Sequence, residues 1–121
     1  MMSYPILYCF SVLLGLLSVA PLHAYESANE IRLFGDSLFR EADYYRAITE
    51  YKKFVYAYPD HPNRDSVLFS VGFSYLKGEQ WDAALPYFQA LSLKQRPSLS
   101  DDAQFMVAQT YLLSQKHRQA G

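Results

Sequence analysis

Apolar positions along the chain fall into two regimes. From Ile6 to Ala20 they form one charge-free run, closed by Pro21. From Ser27 onward they recur three and four residues apart, the period of a helix with one buried face. Ile31, Phe34 and Leu38 mark a first helix. Ser27 and Glu30 ahead of them read as an S-x-x-E capping box, in which each side chain satisfies the other's backbone N–H. After a short break at 41–43 the pattern resumes with Tyr44, Ala47, Ile48, Tyr51, Phe54 and Val55. It stops before Pro59, which disfavours the helical conformation at Tyr58. Val67, Leu68, Val71 and Tyr75 predict a third helix, and Trp81, Ala84, Leu85, Phe88 and Leu91 a fourth that ends ahead of Pro97. A fifth is expected over 101–116, its opening Asp101 and Asp102 suited to the positive end of a helix dipole. His117 would then open a sixth.

The helices come in register. Gly35, Gly72 and Ala108 are separated by 37 and 36 residues, and Ala47, Ala84 and Ala120 by the same two intervals. Two independent small-residue markers therefore define three units, each a pair of antiparallel helices. Close packing of two helices needs a small side chain at the crossing. Glycine inside a helix costs about 1 kcal/mol relative to alanine, so Gly35 and Gly72 are expected to sit where the second helix comes closest, with large aromatics opposite. Such a hairpin buries one face, and stacking the next hairpin covers another.

The order of these markers resembles the tetratricopeptide repeat, W-x2-L-G-x2-Y…A-x3-F…P. Leu68-x2-Val71-Gly72-x2-Tyr75…Ala84-x3-Phe88 follows it, as does Ile31-x2-Phe34-Gly35-x2-Leu38…Ala47-x3-Tyr51…Pro59. The third unit supplies Val107-Ala108-x2-Tyr111 and Ala120, with Gln104 where an apolar residue is expected. The resemblance implies an all-α solenoid of antiparallel helix pairs, about two and a half repeats in units 28–64, 65–100 and an incomplete 101–121. "YPDHP" and "PSLSDDAQFMVAQTYL" are similar to segments of two exported bacterial repeat proteins. One is the lipoprotein of the outer-membrane β-barrel assembly machinery, the other the periplasmic Tol-Pal division coordinator. The chain lacks the lipid-attachment cysteine of the first and the N-terminal coiled coil of the second, so the likeness extends to fold and compartment. With His117 in the place of Tyr44 and Trp81, the sequence is expected to stop inside the second helix of its third unit. It is then either a fragment of a longer array or an array in which helix 101–116 is the terminal cap.

Composition narrows the class. The 121 residues suffice for one modest domain. Eleven Lys and Arg nearly cancel twelve Asp and Glu, giving a net charge of −1 with no electrostatic footprint for nucleic acid and no like-charge tail. The fifteen-residue run Ile6 to Ala20 is short for a membrane-spanning helix, which needs about 20 residues, and fits the about 7–15 of a signal-peptide core. Leu22-His23-Ala24 supplies a cleavage site, giving a signal peptide over 1–24 and a periplasmic or secreted chain. The alternative is a retained anchor holding the domain to the membrane on its periplasmic side, since the n-region carries no Lys or Arg. Cys9, the single cysteine, precedes the apolar run and leaves with the signal, so the mature chain has no thiol chemistry.

Little in the sequence supports catalysis. His23, His61 and His117 are not at ligand spacing with one another or with a carboxylate pair. Asp101-Asp102 could be read as a metal or acid–base pair, but two acids at a helix start are more simply dipole partners. No phosphate loop or nucleophile elbow is present. The reading is a non-enzymatic module without cofactor or metal that binds a protein or peptide of the bacterial cell envelope. Its alternative is the repeat portion of a larger exported enzyme, or a signal-anchored repeat protein.

The family resemblance implies that the first helix of each unit lines a concave groove. Marked on this sequence, the groove comprises Arg32, Asp36 and Phe39, then Phe69, Phe73 and Leu76, then Phe105, Gln109 and Leu112. Ser66, Ser70 and Ser74 run beside it, and an apolar groove with small polar neighbours suits an extended or helical peptide. The competing reading makes these phenylalanines core. Pro86, inside the fourth helix, has no role in either.

Overall fold

Ser27 starts the first helix as its side chain predicts: its Oγ accepts from the Glu30 N–H at 3.2 Å, and Glu30 Oε2 accepts from the Ser27 N–H at 2.8 Å. The computed structural model describes residues 27–121. The signal peptide, the Ala24 cleavage position, Cys9 and His23 lie outside the described residues. Within them the chain forms α1 (Ala28–Arg40), α2 (Tyr44–Ala57), α3 (Arg64–Lys77), α4 (Trp81–Ser92) and α5 (Pro97–Ala120), with no strand. The fold is an all-α, tetratricopeptide-like solenoid.

The two hairpin turns repeat bond for bond. Asp43 N–H donates to the Leu38 carbonyl and Gln80 N–H to that of Tyr75, both at 2.9 Å. Ala42 donates to Phe39 and Glu79 to Leu76, both at 3.0 Å. This is the Schellman arrangement, which needs one residue in the left-handed region. Ala42 at φ 60° and Glu79 at φ 61° occupy it, while the nearby Gly78 does not. Asp43 then caps α2 by accepting from the Arg46 N–H.

Successive helices pack on one another, with α3 between α2 and α4 and α5 laid on α4. The glycines sit at the crossings, as their register requires. A methyl group at Gly35 would lie 2.7 Å from the Tyr51 ring, and one at Gly72 would lie 3.0 Å from the Phe88 ring. One core joins Ile31, Leu38, Ala47, Tyr51 and Phe54 to Val67 and Val71 of the next unit. A second joins Leu76, Ala84 and Phe88 to Met106 of α5. Each core is closed both within a hairpin and across to the next helix.

Three expectations are corrected. Helix α5 begins at Pro97, not Asp101, because proline at the first helical position gives up an N–H that would have no partner anyway. Asp101 and Asp102 consequently fall in the second turn, exposed, rather than at the helix start. Helix α5 also passes through His117 without a break. Gln115 would have to take the left-handed conformation of Ala42 and Glu79; instead the residues from 114 to 120, all of which tolerate helix, continue α5. His117 instead contacts the Trp81 ring at 6.4 Å. Finally, Phe34 is 47% exposed although its counterpart Val71 is fully buried, because no described residue covers the outer side of α1.

Candidate functional site: the concave face

Two features of α1 and α3 build this face. Arg32 and Asp36 are one turn apart on α1 and form an ion pair at 3.1 Å. Phe69 and Phe73 are one turn apart on α3, and their rings stack at 6.4 Å. Because α3 lies beside α1 in the solenoid, Phe39 reaches across and stacks on Phe73 at 5.5 Å. The row extends at both ends, edge-on, to Tyr44 at 5.4 Å from Phe39 and to Phe88 at 5.3 Å from Phe69.

Asp36, Phe39, Phe69 and Phe73 come together around a cavity of about 170 Å³, completed by Tyr51 and Ser70. Arg32 adjoins it through Asp36. Leu76 does not line it: only 7% exposed, it belongs to the α4–α5 core. Its i+3 offset from Phe73 turns it toward Ala84 and Met106. Phe105 and Leu112 stand on α5 at 62% and 49% exposure, with Gln109 half-buried between them, outside the cavity. Phe69 and Phe73 serve both readings, since they wall the cavity and also pack against the second core.

The serine stripe is spent on the helix itself. Ser70 Oγ donates to the Ser66 carbonyl at 3.3 Å and Ser74 Oγ to that of Ser70 at 2.7 Å, a bond that satisfies the fully buried Ser74. Polarity comes instead from Tyr51, which the helical spacing marks as a core position. Tyr51 is buried along its ring, but its hydroxyl donates to Asp36 Oδ1 at 2.7 Å. Burial, and then the hydrogen bond and charge of Asp36, hold the phenol well above its usual range. The signal was available: tyrosine stands where the repeat pattern has phenylalanine. Arg32 donates one nitrogen to Asp36 and another to Asn29 Oδ1 at 2.9 Å, which fixes its guanidinium plane at the rim.

Both Asp36 oxygens are engaged, and among the described residues no group of His, Cys, Asp or Glu is placed to hold a metal ion. His61 is structural: its Nδ1 accepts from the Asn63 N–H at 3.0 Å and its ring lies edge-on to Phe54 at 5.0 Å. Among the described residues no helix is long and apolar enough to cross a membrane.

A family model described as Tetratricopeptide repeat matches residues 33–61, from the middle of α1 through α2 into the following turn. No curated protein and no solved structure matches the chain. The matched segment is one repeat, and the structure extends its geometry to the second hairpin. Repeats of this kind generally mediate protein–protein contacts.

Proposed function

We propose that the chain is a non-enzymatic interaction module or scaffold of the bacterial cell envelope. It is exported with its signal peptide removed after Ala24, and its concave face receives a peptide segment of an envelope protein. The single observation that carries the binding half is the continuous row Phe39–Phe73–Phe69 beside the fixed Arg32–Asp36 pair. Aromatic surface anchors an apolar side chain of a ligand. The guanidinium, with donors to spare, orients the ligand's carbonyl or carboxylate groups. Export rests on the uncharged run Ile6 to Ala20 and the small Ala24. The similarity of "YPDHP" and "PSLSDDAQFMVAQTYL" to exported bacterial repeat proteins points to the same compartment.

The test is selection of a displayed peptide library on the exported protein, then titration of the selected peptides. Phe105→Ser with Leu112→Ser alters the exposed α5 end of the face, so the unfolding midpoint should hold while affinity falls about tenfold or more. Arg32→Ala should weaken the same peptides. Peptides that bind both variants as tightly as the parent would remove the concave face from the reading. An intact mass that still starts at Met1 would remove the export half.

A further inference from the structure

The opposite face of α3 carries a second surface, independent of the concave one. Two clefts, of about 360 and 320 Å³, run along it and share Arg64, Leu68 and Tyr87. They form one trough with α2 on one side and α4 on the other. The floor is apolar. Leu68 stands where the repeat pattern buries Ile31 of the first unit, yet Leu68 remains half-buried in the trough. Pro86 forms part of the α4 wall. Lacking an N–H, it leaves the Asp82 carbonyl without its helical donor.

The rim is cationic. Lys52, Arg64 and Lys94 line the two clefts in succession. Asp65 answers two of them at once and loosely, at 3.6 Å from Arg64 and 3.9 Å from Lys94. Lys52 rests on a phenol instead of a carboxylate: its Nζ donates to the Tyr75 hydroxyl at 2.7 Å and lies 5.1 Å from that ring's centre. Among the residues that line the two clefts three are cations and none is an Asp or Glu, while the chain as a whole is slightly acidic. A local excess of one sign around an apolar floor selects for a ligand of opposite charge.

We propose that this trough is a second docking site, for a partner protein's acidic segment that carries carboxylates alternating with aliphatic or aromatic side chains. The carboxylates meet Lys52, Arg64 and Lys94, and the apolar side chains settle on Leu68 and Tyr87. With a peptide also on the concave face, α3 would be held from both sides by different ligands.

Selection of a random displayed peptide library on the full chain, counter-selected on Lys52→Glu with Lys94→Glu, tests the site. Both lysines are exposed, and circular dichroism verifies that the variant keeps its helices. The expected set is net acidic with at least one apolar residue. It should bind the charge-reversed variant about tenfold or more weakly, weaken with added salt, and bind Phe105→Ser with Leu112→Ser unchanged. That last arm separates this site from the concave one. Neutral or basic peptides, peptides indifferent to the charge reversal, or no discriminated peptides at all would overturn the proposal. So would charge-dependent binding to phosphatidylglycerol vesicles without any selected peptide, since the cations would then serve a lipid surface.

Discussion

Gly72 and Ala108 hold the same place in successive units, and their surroundings differ completely. Gly72 is buried with Phe88 and Tyr87 of α4 closed over it, and Gly35 repeats that arrangement under Tyr51. Ala108 is exposed, because α5 runs straight on where the first two units turn back. A small residue in register therefore marks a potential crossing. Whether it becomes one depends on a turn seven residues later. The turns at Ala42 and Glu79 place a helix over the glycine, and no turn at Gln115 does so.

The most forceful way to break this comparison is to enlarge the small residue. Gly72→Leu drives a side chain into Phe88 and should cost about 1–3 kcal/mol or more. Ala108→Leu should stay within about 0.5 kcal/mol of the parent, as surface changes do. Denaturant midpoints of the two variants decide it. Equal losses would mean that Ala108 is covered in solution, and an unaffected Gly72→Leu would mean that the hairpin register is wrong.

Tyr51 and Phe88 cover the two glycines, and one hydroxyl distinguishes them. Tyr51→Phe makes the first hairpin like the second and should cost about 1.5 kcal/mol, the low end for a hydrogen bond to a charged group, since Asp36 is half-exposed and can be rehydrated. The phenol also has a pH signature. Its folded value is raised above the unfolded value of about 10, so folding favours the protonated ring. The stabilisation is complete below that pH and declines as pH rises toward the folded value. Between about pH 10 and 11, the parent should therefore lose its advantage over Tyr51→Phe, followed by thermal unfolding of the two proteins. A constant difference across that range would place the hydroxyl away from Asp36.

The gentlest comparison concerns the turns themselves. Ala42→Gly relieves a left-handed alanine that costs about 1–2 kcal/mol but adds unfolded-chain entropy. A net gain of about 0.5–1 kcal/mol is expected. Gln115→Gly, in the middle of α5, should instead lose about 1 kcal/mol. The opposite signs, read from thermal midpoints, would distinguish turn from helix at equivalent positions. A stabilising Gln115→Gly would show that α5 turns after all.

Local periodicity carried most of this fold. The capping box at Ser27, the break at 41–43, the stop at Pro59 and both glycine crossings follow from side-chain chemistry within a few residues. The turns were legible as breaks but not as left-handed caps, because alanine and glutamate occupy positions that usually signal themselves with glycine. Pro97 looked like a terminator because proline both ends helices and begins them, and only the following segment decides which. The concave face was partly legible. Register placed Phe39, Phe69, Phe73 and Asp36 on one side, but it could not show that Leu76 turns inward or that the hydroxyl of Tyr51 reaches Asp36. The trough along α3 depends on the spacing between α2 and α4, which are not adjacent in sequence, so no local pattern announces it.

Each helix here touches chiefly its neighbours in sequence, which makes the protein nearly one-dimensional. Its stability is then a sum over a short row of interfaces, and few long loops must close before those interfaces form. Among the described helices, one packed on a single side can open without dissolving α3, which is packed on both. α1 and α5 should exchange their amide protons before α3, which has partners on both sides. A ligand gripping α3 would therefore protect the part that opens last, whereas one that also engages α1 or α5 would hold an edge closed. The same solenoid could in this way signal occupancy by how far its ends unravel, with no change in the shape of its centre.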